Sequence, residues 1–254
     1  MMDFAEYLQH RVSSGTVKLY IQWVLSYKDW LGSNNSTQEY AQSYLDSLHS
    51  RGLKPNTIAV AANALKAWHK WQGKPIELNA PRVHMGEPEY LSGEEILALV
   101  DACQTPLEYV LIVVLFDSAC RISEILNLEL DDIDWDESMV RVTRKGGAVE
   151  RVNLSRKGMA ALEDWMKVRK STGKKVFMDL TYHQAWSLIK GVGKRIGVDL
   201  HPHMLRHSRA VQMLENGAEI QYVKEHLGHK NISTTMDVYG RLKPVHLREH
   251  IPEW

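Results

Sequence analysis

The sequence predicts a mainly α protein of the α+β kind, an N-terminal helical bundle followed by a mostly helical second domain with a small antiparallel sheet. Three observations carry that prediction. Apolar residues recur at helical spacing along most of the 254-residue chain, in runs that stop at glycine. A stretch with three prolines and no sustained period separates an early series of such runs from a later one. One segment, "MVRVTRKGGAVERVNL", alternates apolar and polar residues around Gly146 and Gly147.

Taken in order, "TVKLYIQWVLSYKDWLG", "TQEYAQSYLDSLHSRG" and "NTIAVAANALKAWHKWQG" each read as an amphipathic helix closed by glycine, and they make residues 1–73 a helical domain. Residues 74–90 read as an extended linker, because proline fixes its own φ and pushes the preceding residue out of helical space. The second domain then spans 91–254. Ser92 with Glu95, and Thr105 with Glu108, have capping-box spacing, and Pro106 suits a first helical position. "EYVLIVVLFDSA" is apolar all round and predicts a central buried helix. The alternating segment predicts a β-hairpin with Lys145 beside its turn. Helices resume at "RKGMAALEDWMKVRK", "YHQAWSLIKGVGKRIG", "HMLRHSRAVQMLENG" and "EIQYVKEHLGH".

Composition narrows the function classes. No apolar run approaches the roughly 20 residues that span a bilayer, and the start "MMDFAEYLQHRVSS" lacks a basic-then-apolar leader, so a cytoplasmic protein with no membrane partner is expected. Cys103 and Cys120 have neither disulfide-framework nor metal spacing and are expected to be buried thiols. The 31 basic residues balance the 31 acidic ones, yet they are unevenly placed. Residues 124–137 hold seven carboxylates and no lysine or arginine, while residues 141–157 hold six basic residues against one acidic. A neutral chain can bind nucleic acid when one face collects its cations; solvated helix and hairpin surfaces would account for the same pattern.

Certain polar residues of the second domain are not explained by helical packing. Arg121 follows the buried helix directly, where a cation is costly unless paired, and Glu124 one turn on is an available partner. Lys145 lies at the hairpin turn, His203 and Arg206 share a helix face, and His229 and Tyr239 follow. Arginine forks match phosphate oxygens, fixed cations lower the barrier to a transition state that gathers negative charge, and tyrosine is a covalent nucleophile when its proton is taken. Singly, each of these residues reads as packing or surface.

Their order changes the reading. The arginine of "CRISEILNLELDDID", the lysine of "RKGGAVERVNLS", then "HMLRHS", "LGHKNISTT" and Tyr239 closely resemble the tyrosine recombinase (phage integrase) family, in particular its small Xer-like members. The likeness spans about residues 91–242, and residues 1–73 resemble the family's core-binding domain. The resemblance implies a site-specific DNA recombinase in which both domains close around the duplex. Strands are cut through a 3′-phosphotyrosyl intermediate that conserves the bond energy, with no metal and no cofactor. It implies that Arg121 and Arg206 clamp the scissile phosphate, Lys145 protonates the departing 5′ oxygen, and His203 handles the tyrosine proton. It further implies that His229 bonds the phosphate, Tyr239 attacks, and Glu124 holds Arg121. The implied partners are double-stranded DNA and three further copies of the chain, a homo-tetramer on paired sites formed from a monomer in solution. Ala119 stands where the family usually has glycine.

Three other readings suit parts of the sequence. Histidines at 201, 203, 207, 226 and 229 suggest zinc, but Arg206 would oppose a divalent ion between them, so no metal is expected. "AEIQYVKEHLGHKNISTTMDVY" also suits a helix-turn-helix binder without chemistry, which would have no need of Tyr239. Strand relaxation of the type IB topoisomerase kind shares the intermediate. The tail "GRLKPVHLREHIPEW" is too apolar for a free end and is expected to dock on a neighbouring protomer or on its own domain.

Overall fold

A computed structural model describes residues 3–81, 89–144, 146–177, 180–228 and 235–236. The chain forms two compact units, Met1–Met85 and Gly86–Trp254.

In the first unit, α1 (Phe4–Gln9) precedes α2 (Ser14–Leu31), α3 (Gln38–Ser50) and α4 (Pro55–Trp71). The three long helices fall where the apolar spacing puts them; the short α1 was not foreseen. Each long helix starts on a local signal. The Ser13 and Thr37 hydroxyls accept from the backbone N–H groups of Thr16 and Tyr40, and Pro55 takes the first turn of α4. Tyr27, Tyr44, Leu45, Leu48, Ile58 and Leu65 are all but fully buried between them. Each such side chain contributes about 1.5–3 kcal/mol by leaving water. Polar tips inside this core are paired: Tyr27 Oη lies 2.8 Å from Ser36 Oγ, which lies 2.9 Å from His69 Nε2. Burial holds the His69 pKa below its ordinary value, so the ring is neutral.

The second unit is α5 (Gly93–Asp101), α6 (Pro106–Ser118), α7 (Ile122–Leu126), β1 (Ile133–Asp134), β2 (Met139–Thr143), β3 (Val149–Asn153), α8 (Arg156–Val168), α9 (Tyr182–Arg195), α10 (Pro202–Glu215) and α11 (Ile220–Leu227). The all-apolar run is the central helix expected: Val110 through Leu115 of α6 are buried, and α5, α8, α9 and α10 pack around it. The hairpin is present with β2 pairing β3 antiparallel, Val140 opposite Val152 and Thr143 opposite Val149. A two-residue β1, unforeseen, adds a third strand in the order β1-β2-β3. Val140, Val142 and Val152 point inward, so the sheet's buried face closes the core beside α7. Mainly helical with a small antiparallel sheet is therefore the fold observed.

Two local expectations need correction. The Ser92–Glu95 capping box closes in both directions, but at α6 only half forms. Thr105 Oγ1 accepts from the Glu108 N–H, while the Glu108 carboxylate turns to the Gln104 N–H and to the Arg195 guanidinium, a charged donor stronger than the N-cap amide. Cys120 is buried, but Cys103 is only partly so, because it lies near the end of α5. No helix among the described residues is long and apolar enough to cross a membrane.

Candidate active site

The site starts where α6 ends. Ala119 takes a left-handed conformation, φ 49° and ψ 21°, which turns the chain sharply and lets Arg121 serve as the N-cap of α7. A side chain at such φ costs roughly 1–2 kcal/mol. Three positions into the helix, Glu124 folds back: its carboxylate accepts from the Arg121 N–H at 2.9 Å and from Arg121 Nη1 at 2.8 Å. The arginine is thereby fixed at backbone and head together, with its side chain still 32% exposed.

Glu124 has a second arginine. Arg144, at the end of β2, donates from Nη1 to Glu124 Oε2 at 2.8 Å and from Nε to Glu150 Oε2 at 2.8 Å. Its Nη2 donates to the His226 carbonyl at 3.3 Å, and its Nη1 approaches Cys120 Sγ at 3.7 Å. This side chain is only 4% exposed. Burial by itself would raise the Glu124 pKa, but the Arg121 hydrogen bonds and the nearby guanidinium charges outweigh it, and the carboxyl is held below its usual range as an anion.

Arg206, on α10, is bound to two backbone carbonyls. It donates from Nη1 to the Ala119 carbonyl at 2.6 Å and from Nη2 to the Leu227 carbonyl at 2.7 Å, tying the turn before Arg121 to the end of α11. Burial, then the positive field of Arg121, pushes its pKa down to about 10, so it remains charged at neutral pH. His203 lies one turn earlier on α10. Burial first, then the charge of Arg206, lowers its pKa below the ordinary histidine value, so the imidazole is neutral near pH 7 and able to accept a proton. Arg121, Glu124, His203 and Arg206 thus come together.

The other histidines have separate occupations. His201 caps α10, its Nδ1 accepting from the Met204 N–H at 3.2 Å. His226 donates from Nε2 to the Asp117 carbonyl at 3.1 Å. Among the described residues no three His, Cys, Asp or Glu side chains cluster as metal ligands would. Lys145, His229, Tyr239 and the apolar tail lie outside the described residues. Arg144 is the functional candidate that sequence reasoning passed over. In a strand of period two, residue 144 falls on the inward face with Val140 and Val142, and that parity was the available signal.

Residues 89–246 match the model of the phage integrase family. The chain belongs to that family. It is 29% identical to the tyrosine recombinase XerA of Pyrococcus horikoshii, over 98% of this chain and 91% of that one. It is 28% identical to the tyrosine recombinase XerD of Halalkalibacterium halodurans, over 92% and 86% respectively. Among solved structures, a XerA recombinase superposes at TM-score 0.60 with 25% identity, covering 99% of this chain and 98% of the other. The Tn1549 transposon integrase, solved in complex with transposon right end DNA, gives a TM-score of 0.79 at 18% identity, covering 97% and 96%. The family and these relatives support a tyrosine site-specific recombinase; they support neither a topoisomerase nor a binder without chemistry.

Proposed function

We propose that this chain cuts and rejoins double-stranded DNA with Tyr239 as nucleophile and Arg121, Lys145, His203, Arg206 and His229 around the scissile phosphate. The observation that carries the reading is the convergence of two charged arginines, Arg121 and Arg206, on a neutral His203. The Tyr239 oxygen attacks phosphorus while its proton passes to His203. The bond to the 5′ oxygen breaks, and Lys145 supplies the proton that oxygen needs. Arg121 and Arg206, with a hydrogen bond from His229, balance the negative charge gathering on the nonbridging oxygens. The phosphate stays on Tyr239 as a 3′-phosphotyrosyl diester. Attack by a 5′ hydroxyl reverses the sequence, so no metal or nucleotide is consumed.

In this reading residues 1–73 form the core-binding domain, 74–90 the linker and 91–254 the catalytic domain. The chain is a monomer in solution and a homo-tetramer on paired sites, with the tail after Tyr239 passed to a neighbouring protomer. DNA as the partner is supported by the relatives solved on it, the Tn1549 integrase and a XerH site-specific recombinase bound to difH substrate. The test begins with sequencing DNA recovered with the protein from cells, which supplies the site. A nicked duplex built on that site should trap a covalent adduct with the wild type in EDTA and none with Tyr239→Phe, whose binding stays intact. Adduct persisting in Tyr239→Phe would move the nucleophile, with Tyr222, 60% exposed on α11, the next candidate.

A further inference from the structure

Arg144 is not accounted for by the reaction just described. It carries a full charge on a side chain that is only 4% exposed, where burial is costly unless every partner is in place. Its three donor groups reach three separate elements. Nη1 takes Glu124, which also holds Arg121 on α7; Nε takes Glu150 across the hairpin on β3; Nη2 takes the His226 carbonyl in the last turn of α11. Its backbone helps to form the hairpin turn as well, the Arg144 N–H donating to the Ala148 carbonyl at 2.7 Å and the Gly147 N–H to the Arg144 carbonyl at 3.0 Å.

A second observation is independent of these bonds. Gly228, which ends α11 at φ 65°, lies against the Arg144 guanidinium so closely that an added Cβ would stand 2.6 Å from Nε and 2.8 Å from Glu150 Oε2. The backbone at Gly228, the residue before His229 in sequence, is therefore laid directly on this side chain. A planar fork can hold three directions at once; a lysine ammonium at the end of a flexible stem does not.

We propose that Arg144 is a positioning residue for strand cleavage, which sets the hairpin turn that carries Lys145 against the Arg121–Glu124 cap and the end of α11. The proposal rests on the assignment of Lys145 as the acid that protonates the 5′ oxygen. A group misplaced by about 1 Å can cost on the order of a hundredfold in rate.

The test is single-turnover cleavage of a nicked duplex carrying the recovered site, with either an ordinary 5′ oxygen or a 5′-bridging sulfur, which departs without a proton. Arg144→Met, near-isosteric and apolar, should cut the oxygen substrate roughly 100-fold more slowly, the range of one acid's contribution, and recover to within about tenfold of wild type on the sulfur substrate. Arg144→Lys should recover only part of the oxygen rate. Glu150→Gln, which keeps an acceptor on a half-exposed side chain, should show a weaker form of the same oxygen-selective defect even if Arg144→Met fails to fold. Lys145→Ala is measured alongside. If sulfur rescues Lys145→Ala while the Arg144 and Glu150 variants are equally slow on both substrates, or wild-type-like on both, Arg144 does not position the acid. If sulfur fails to rescue Lys145→Ala, it is the acid assignment that fails instead.

Discussion

At the start of α6, Glu108 meets Arg195 fork to fork at 2.8 and 2.9 Å and takes the Gln104 N–H at 2.7 Å. At the start of α7, Glu124 meets two arginines and the Arg121 N–H. Both glutamates are 5% exposed and both are ionised. The difference is in the balance of charge. One carboxylate and one guanidinium close on each other at α6 and leave nothing over. Around α7, among the described residues, Arg121, Arg144 and Arg206 face Glu124 and Glu150, so positive charge is left over beside a partly exposed Arg121. The first arrangement fastens α9 to the α5–α6 corner. The second leaves positive charge beside a partly exposed arginine, which suits an anion and which a closed ion pair does not offer.

That contrast is broken most sharply by removing the arginines. Arg121→Ala or Arg206→Ala should slow single-turnover cleavage by about three orders of magnitude, equivalent to roughly 4 kcal/mol of transition-state stabilisation. Arg195→Ala should lower the melting temperature and leave the cleavage rate of the folded fraction close to wild type. An equal kinetic loss for Arg195→Ala would erase the distinction between the two regions.

The carboxylates come next. Glu124→Gln leaves Arg144 and Arg121 short of an anion in a closed site and should destabilise the protein by about 3 kcal/mol in urea titration. Glu108→Gln should cost clearly less, because Arg195 can turn to water. A larger loss for Glu108→Gln would mean that the sharing of Glu124 is not what holds α7.

Acid separates the buried histidines from the two glutamates by pH window. Burial lowers the pKa of His203 and His226, and of His207 to about 4, below the 6.5 of the unfolded chain. A histidine depressed in this way stabilises the fold fully above 6.5 and loses that contribution as pH falls toward the folded value. Glu108 and Glu124, depressed below 4.5, lose theirs only under more acid conditions. Melting temperature should therefore begin to fall between pH 6.5 and 5, and His207→Gln should flatten that limb while leaving the limb below pH 4.5 in place. A flat profile down to pH 5 would contradict the burial of these rings.

The smallest effect is at the turn between the regions. Ala119→Gly relieves a left-handed alanine but gives up a buried methyl and frees the unfolded chain, so stability should change by less than about 1 kcal/mol. A larger loss in urea titration would make that methyl a packing group in the small cluster of Ala210, Val211, Val223 and Leu227.

Much of this is legible in the sequence. Helical period and cap residues were enough for the long helices, because amphipathic burial and N-terminal hydrogen bonds are local and leave a local trace. The Arg121–Glu124 pair was visible for the same reason, three positions apart within one capped turn. Arg144 was not, since its partners lie 20 residues back, six residues on and 82 residues on. In sequence it was one of six cations in a basic stretch, indistinguishable by composition from Arg141 and Arg151, whose strand positions are exposed. The Glu108 box misled in the opposite way. Its spacing was right, but Arg195, 87 residues away, is the stronger donor and wins the carboxylate.

The proposed role of the charge left at Arg121 and Arg206 is to serve the scissile phosphate. It is tested most directly by removing the phosphate's charge instead of the protein's, with a methylphosphonate at the cleaved position of the duplex. On ordinary DNA the Arg121→Ala variant should be slower than wild type by about a thousandfold; on the neutral methylphosphonate its deficit should shrink to about tenfold or less, because the ground-state anion is gone and one unit less negative charge gathers at the transition state. A deficit of the same size on both substrates would show that Arg121 acts on something other than the charge of the phosphate.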